Sequence, residues 1–465
     1  MWNWFKCLGL ASSVVLAGCG TERGGGTPPS PSMPAGSTHI AVTSASPLSA
    51  ATVRTVASDE PTGVLTLRQA LALALVRSPE LASSAWEIRA AEARTLQAGL
   101  IPAPEVGMEL NEFGGRGARR GFEGMETTLQ LSQLVELGGK RGRRMRVAEL
   151  ERDLAAWDYE SARLEVLLET TRAFVAVLAA QRQVALAEDG VALARQVVSA
   201  VSGRVRAGVA SPLEETRAEV ALSTRRLALE RAQRNLRTAR EALAASWGST
   251  APSFVRAEGD LEAVREVPAL PRLVAGSGAN PDLARWAAEL QQREAALALE
   301  RAKTVPDPTI TAGVTRFEET DDSALLLGLS IPLPIFGLNP GGVREASANL
   351  TKAVQQRRAA EVRVATALAQ AHQTLASSHA EITALKRSIL PAAERAFEVA
   401  RQGYEGGKFG FLEVLDAQRT LLEARGSYIE ALSAYHTALA EVERLTGKPV
   451  DGVAAPNGRT GGEPK

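Results

Sequence analysis

From Lys140 onward, Leu150, Leu154, Trp157, Ser161, Leu164, Leu168, Thr171, Val175 and Leu178 fall at alternating spacings of four and three, all but Ser161 and Thr171 apolar. That alternation is a heptad seam. No proline follows until Pro212, so the helix is expected to reach about Val205, roughly 100 Å at 1.5 Å per residue. A returning helix carries Leu222, Leu229, Leu236 and Leu243 seven residues apart. A second pair is expected from about Val343 to Gln402 and from about Leu412 to Leu445, with Leu415, Leu422 and Ile429 again seven apart. Narrow apolar stripes with charged flanks predict helices that pack side by side as coiled coils. Pro391 interrupts the third long helix and predicts a bend or a change of packing there.

Ahead of each helical pair the period falls to two. A short amphipathic helix opening at Leu65–Gln69 stops before Pro79, and a second runs from about Pro79 to Leu100, where Pro102 and Pro104 forbid continuation. Val106, Met108 and Leu110 then alternate with Glu105, Gly107, Glu109 and Asn111. Beyond a glycine-rich turn at 114–121, Met125, Thr127, Leu129 and Leu131 alternate with Glu126, Thr128, Gln130 and Ser132. Ile310, Ala312 and Val314, then Leu325, Leu327, Leu329 and Ile331, repeat the pattern. Such segments read as strands, and their length suits a tilted crossing of an outer membrane. An amphipathic hairpin lying on a soluble core is the other reading. Four strands cannot close a barrel, so the membrane reading requires oligomerisation.

The chain thus says nearly the same thing twice, at an offset of about 200 residues. Pro79, Glu80 and Leu81 return as Pro281, Asp282 and Leu283, and Gly208, Leu213 and Glu214 as Gly407, Leu412 and Glu413. We expect a mainly α fold with a membrane β-barrel part: two equivalent halves, 63–255 and 256–450, in one body. Their β-hairpins are expected at about 104–134 and 308–333, and their helical hairpins at about 140–247 and 343–446. Gly208 and Gly407 suit left-handed caps at the far tips of the helical hairpins.

Composition narrows function further. Lys plus Arg and Asp plus Glu both number 53 in 465 residues, which argues against a nucleic-acid partner. The short basic run Lys140–Arg144 reads as a solvated helix start. No phosphate loop and no nucleophile with a plausible base is present, so no enzyme and no cofactor are expected. His372 and His379 stand two helical turns apart, where metal ligands usually sit one turn apart, so no metal site is assigned. At the N-terminus, Lys6, the apolar run Leu8–Leu16 and the sequence Leu16-Ala17-Gly18-Cys19 resemble a bacterial lipoprotein signal. The resemblance implies cleavage after residue 18 and acylation of Cys19, and Gly20 in place of an aspartate implies sorting to the outer membrane. Segment 19–62 and the tail 451–465 are polar and rich in Gly and Pro, and are expected to be flexible.

Together, this leader, the doubled unit of strands and long helices, and tip motifs of the form Gly-x-x-x-x-Leu-Glu resemble the TolC family of outer-membrane efflux channels, from about Pro61 to Pro449. Segments 131–143 and 329–337 are similar to that family's strand-to-helix junctions. The Glu136-Leu137-Gly138-Gly139-Lys140-Arg141 version looks most like the branch serving heavy-metal cation pumps. The resemblance implies a homotrimer whose twelve strands form one barrel in outer-membrane lipid and whose helices form a periplasmic tunnel. Its partners would be a periplasmic adaptor and an inner-membrane RND-type pump. Glu126, Thr128, Gln130 and Ser132 would face the lumen, and Arg116, Arg119 and Arg120 the exterior. Glu413 and Asp416 occupy the place of the family's gate aspartates and would form stacked carboxylate rings, or else are ordinary solvated helix residues. Gly208, Leu213, Glu214, Gly407 and Leu412 are candidates for the adaptor-contact tip. Two alternatives stay open: the same duct exporting drugs or other small organic molecules, and a lipid-anchored periplasmic adaptor or spacer.

Overall fold

The computed structural model describes residues 60–333, 337 and 339–449. Cys19, the leader and the C-terminal tail lie outside the described residues. In chain order the elements are β1 (Gly63–Thr66), α1 (Leu67–Arg77), α2 (Pro79–Ala98), β2 (Glu105–Asn111), β3 (Glu126–Leu134), α3 (Lys140–Arg206) and α4 (Pro212–Ala245). The second half contributes β4 (Phe254–Glu258), α5 (Leu270–Gly276), α6 (Pro281–Ala302), β5 (Thr309–Phe317), β6 (Asp322–Ser330), α7 (Pro340–Ala384), α8 (Leu390–Glu405) and α9 (Phe411–Thr446). The long helix α3 ends within a residue of where its heptad seam and Pro212 place it. α7 begins three residues earlier than expected because Pro340 fills the first helical position, where its missing N–H costs nothing.

Pro391 does change the packing. The five residues Leu385–Ile389 between α7 and α8 form a π-helical turn, which accommodates a proline that can neither donate to the ladder nor tolerate the carbonyl one turn back. Helical structure runs on without interruption from α7 through this turn into α8, so Pro391 is met by a local widening of the helix.

The helices form one curved layer. Toward the sheet the order is α2, α3, α6, α7; at the opposite end it is α4, α3, α9, then α7 and α8. Only α3 and α7 run the length of both ends. Two large apolar cores result, with a smaller cluster of Ala74, Leu81 and Val166 where α1 and α2 meet α3. The central one gathers Phe174, Val177, Leu243, Trp247, Leu368, Leu375, Tyr435 and Val442. The tip core gathers Val201, Phe397, Tyr404, Phe411, Val414 and Leu421.

Around the centre lies a belt that periodicity did not reveal. β1 pairs in parallel with β4, so Gly63–Thr66 is a strand, and the helix expected from Leu65 begins only at Leu67, capped by Thr66 and Gln69 reciprocally. Segment 254–268 is pinned by side chains from the long helices. The Gln181 amide donates to the Ala257 carbonyl at 2.9 Å and accepts from the Ala257 N–H at 2.8 Å. The Tyr435 hydroxyl accepts from the Arg265 N–H at 3.0 Å and donates to the Arg265 carbonyl at 3.1 Å. His436 and His372 present ring nitrogens to the Leu261 and Pro268 carbonyls at 2.9 and 3.0 Å. These histidines hold the belt, and His379, two turns from His372, packs beside the Tyr435 ring with centroids 6.3 Å apart.

The join between sheet and helices corrects another expectation. Lys140–Arg144 does start α3 and leaves Arg141 and Arg143 exposed, but the run is not merely solvated. Lys140 is buried, donating to the Val305 carbonyl at 2.5 Å and pairing with Asp307 at 2.7 Å. Arg141 donates to the Gly99 carbonyl at 2.6 Å, Arg144 to those of Ala98 and Leu100 at 2.9 and 3.0 Å, and Arg143 to Ala298 at 2.9 Å. The basic run therefore satisfies orphan carbonyls at the C-terminal ends of α2 and α6, where the helix dipoles favour cations. Burial opposes ionisation of Asp307, yet the hydrogen bonds from Lys140 and the Leu137 N–H hold its carboxyl below the ordinary range.

Candidate functional site

Strands β2, β3, β5 and β6 form an antiparallel sheet in that order, leaving β2 and β6 as free edges. Its register sorts the side chains by face. One face carries the rows Glu105–Ser132–Thr311–Gly328, Gly107–Gln130–Gly313–Leu326, Glu109–Thr128–Thr315–Ala324 and Asn111–Glu126–Phe317–Asp322. The other carries Val106–Leu131–Ala312–Leu327 and Met108–Leu129–Val314–Leu325. All four positions read from the alternation, Glu126, Thr128, Gln130 and Ser132, share the polar face.

That face is tied together across strands. The Thr128 and Thr315 hydroxyls lie 2.9 Å apart, those of Ser132 and Thr311 3.0 Å, and the Gln130 amide donates to Glu109 at 3.2 Å. Gly313 is required there: a Cβ would stand 2.6 Å from the Leu129 carbonyl oxygen, so the backbones approach where no side chain fits. At these positions the polar face bears Glu105, Glu109, Glu126 and Asp322 and no Lys or Arg. The opposite face is apolar and uncovered over these rows, with Val106 74%, Leu325 86% and Leu327 85% exposed, and turns polar toward the hairpin turns, in the row Leu110–Thr127–Arg316–Ser323. In water alone such a surface is a liability; against lipid it is satisfied. No helix among the described residues is long and apolar enough to cross a membrane.

The other end of the molecule is the helical tip, where both turns use glycine in the left-handed region, Gly208 at φ 74° and Gly407 at φ 71°. Leu213 and Leu412, each just inside its returning helix, are 56% and 60% exposed. Glu214 turns inward instead, accepting a hydrogen bond from the Tyr404 hydroxyl at 3.0 Å. Arg204 crosses from the first hairpin to stack 4.8 Å from the Tyr404 ring centroid and donates to the Tyr404 carbonyl at 3.0 Å. Burial and the bond to Glu214 push the Tyr404 phenol up. Arg204 and Tyr404 were not picked out from the sequence. The available signal was scarcity: with aromatics at 4%, Tyr404, Phe409 and Phe411 clustered at one turn stand out.

Glu413 and Asp416 sit on the first turns of α9, exposed, with Asp416 paired to Arg419 at 2.8 Å. Heptad spacing carries their face along the helix: Glu413, Thr420, Ser427, Ala434 and Glu441 form one row, and Asp416, Glu423, Glu430 and Thr437 the next. Glu430, Ala434, Thr437 and Glu441 line a groove of about 1010 Å³ on the concave side of the helical layer, whose other walls come from α3, α4 and α7. The two carboxylates stand on the same rows, beyond the end of the groove toward the tip. Across the groove Arg172 pairs with both Glu169 and Glu441. Among the described residues no three His, Cys, Asp or Glu side chains come together as metal ligands.

A curved layer of long helices, capped at one end by a two-faced sheet with open edges, is the architecture of outer-membrane channel subunits. The chain belongs to the outer membrane efflux protein family, whose model matches it twice, over residues 70–249 and 277–448, in step with the internal duplication. It is 36% identical over 389 residues to the cobalt-zinc-cadmium resistance protein CzcC of Cupriavidus metallidurans, a match covering 84% of this chain and 91% of that protein. The nickel-cobalt-cadmium resistance protein NccC of Alcaligenes xylosoxydans is 28% identical over 328 residues, covering 70% and 72%. Among solved structures, CusC superposes with a TM-score of 0.71 at 18% identity, covering 82% of this chain and 92% of that one. The open state of the Neisseria gonorrhoeae MtrE outer membrane channel gives 0.65 at 20% identity, covering 83% and 89%.

Proposed function

We propose that three copies of this chain form a passive export duct for heavy-metal cations, with a twelve-stranded barrel in the outer membrane and a helical tunnel in the periplasm. Joining β6 of each copy to β2 of the next removes the open edges, and a cyclic arrangement of three closes the ring. The observation that carries the reading is the sheet's polar face, which holds four carboxylates and no basic side chain. Tripled, Glu105, Glu109, Glu126 and Asp322 give a lumen that concentrates cations without binding them tightly, as conduction requires. Likeness to the cobalt-zinc-cadmium and nickel-cobalt-cadmium resistance proteins supports metal cations over drugs as cargo.

The tunnel's far end would receive cargo from an inner-membrane RND-type pump through a periplasmic adaptor that docks on the exposed tip residues Leu213 and Leu412 around Gly208 and Gly407. Glu214, occupied by Tyr404, serves the closed tip more than the adaptor. Glu413 and Asp416 would form two carboxylate rings at the entrance, because the rows they stand on line the groove farther along α9. An acylated Cys19 would anchor each copy to the outer-membrane leaflet.

Deleting the gene should raise sensitivity to zinc, cobalt or cadmium salts and leave drug tolerance unchanged; the reverse pattern would reassign the cargo. In planar bilayers, Glu413→Ala with Asp416→Ala should raise single-channel conductance and weaken cation preference. Unaltered conductance would remove both residues from the entrance.

A further inference from the structure

The two strand hairpins end in tips of opposite charge. The loop between β2 and β3 exposes Arg116, Arg119 and Arg120, while the turn between β5 and β6 carries Glu318, Glu319 and Asp321 and runs into Asp322. Part of this charge is used within the protomer: Arg119 pairs with Glu112, and Arg316 with Glu318 and Asp321. Among the described residues, Arg116 and Arg120 meet no carboxylate, and Glu319 and Asp322 meet no cation. The loop's other unpaired carboxylate, Glu123, lies on the β3 flank, away from the β2 edge.

Topology decides what these charges can reach. Asp322 is the first residue of edge strand β6, and Arg116 lies in the loop that leaves edge strand β2 after Asn111. Three inter-strand gaps, about 14 Å, separate β2 from β6 within one copy. When β6 of one copy is laid against β2 of the next, the same ends become neighbours at about 4.8 Å strand spacing.

Resting on the trimeric barrel proposed above, we infer that the rim is closed by ion pairs between copies, Arg116 and Arg120 of one meeting Glu319 and Asp322 of the next. Six tips then alternate in charge around the mouth. The arrangement also selects the mode of assembly. With all tips at one end of the barrel, a β2-to-β2 or β6-to-β6 contact would oppose like charges, whereas head-to-tail closure opposes unlike ones at all three junctions.

The test uses the full-length protein purified in detergent, with trimer lifetime at fixed elevated temperature followed on native gels. Arg116→Glu with Arg120→Glu, and separately Glu319→Arg with Asp322→Arg, should each shorten the low-salt lifetime about tenfold, an effect that fades near 1 M salt. Combining all four substitutions should restore the lifetime. Wild-type lifetimes in both two-site variants would overturn the inference. So would an unrescued loss accompanied by weaker binding to vesicles of anionic phospholipid, which would give the arginines to lipid phosphate. As a second measurement, Arg116→Cys with Asp322→Cys should oxidise to covalent dimers and trimers, and absence of the ladder counts against the rim pairs. A wild-type protein that is monomeric would remove the trimer reading itself, a failure distinct from unaffected variants of an intact trimer.

Discussion

α4 and α9 are the same element in the two halves, each the returning arm of a helical hairpin, yet α4 has three buried residues and α9 fourteen. The difference comes from position. α9 lies between α3 and the α7–α8 helix, so both its flanks are covered; α4 packs along α3, meets α8 only at the tip through Glu214, and has one flank free. On that free flank Leu213, Val220 and Leu227 stand seven residues apart and 54–62% exposed, while Leu222, Leu229, Leu236 and Leu243 face α3. A helix with two apolar stripes and one partner is waiting for a second. The duplicated halves are thus equivalent in sequence pattern and unequal in burial, as the proposed ring of three copies requires: one seam within each copy and one between copies.

The junctions differ in the same spirit. In the first half Gly139, at φ 67°, opens α3 and Lys140 plugs into the end of α6. In the second half Asn339, at φ 61°, opens α7, and its amide reaches the Glu300 carboxylate at 2.5 Å and the Glu300 carbonyl at 3.1 Å. Both halves turn the chain through a left-handed residue and satisfy α6, but with a charge in one case and an amide in the other.

The contrast between the seams can be broken most forcefully at its core. Leu421→Ala in α9, where the side chain is 3% exposed, should cost about 3 kcal/mol of protomer stability. Leu227→Ala in α4 should stay within about 0.5 kcal/mol for the protomer while lowering trimer survival in detergent. Equal losses in denaturant titrations would mean that α4 is not an outer seam. Next in size, Lys140→Ala should cost about 2–3 kcal/mol by leaving Asp307 buried without its cation, and Asn339→Ala about 1 kcal/mol through the lost bonds and the left-handed backbone. Thermal unfolding of the two variants would rank the junctions.

Smallest is the pH effect. Lys303 and Asn339 hold the Glu300 carboxyl below its ordinary range, and Asp307 is held low against its burial by Lys140 and Leu137. Both pKa values are depressed on folding, so the unfolded chain takes up protons first. Their stabilisation is complete above the usual carboxylate range of about pH 4 and is lost as pH falls through the depressed folded values. Asp307→Asn should flatten the acid limb of a stability-versus-pH curve and leave neutral pH behaviour governed by the Lys140 contact. An unchanged acid limb would remove Asp307 from it.

Much of this was legible beforehand. Periodicity located both hairpins, the ends of α3 and the shared face of Glu126 to Ser132, because each is fixed by local spacing against a single neighbour. The belt was not legible, because β1 and β4 are four and five residues long and pair across just over 190 positions. Nor was the role of Lys140–Arg144: a basic run is solvated by default, and only the three-dimensional arrival of two helix ends buries Lys140 and gives the arginines carbonyl partners. The contact of Arg204 and Glu214 with Tyr404 likewise joins two tips that stand 200 and 190 positions apart in the chain.

Site-directed spin labels at Gln130→Cys and Leu325→Cys, in protein reconstituted into lipid vesicles, test the central arrangement most directly. A ring with its polar face inward predicts that the label at 130 collides with a water-soluble nickel chelate, while the label at 325 is shielded from the chelate and collides with oxygen dissolved in the bilayer. Equal or reversed accessibilities would contradict a water-filled barrel built from this sheet.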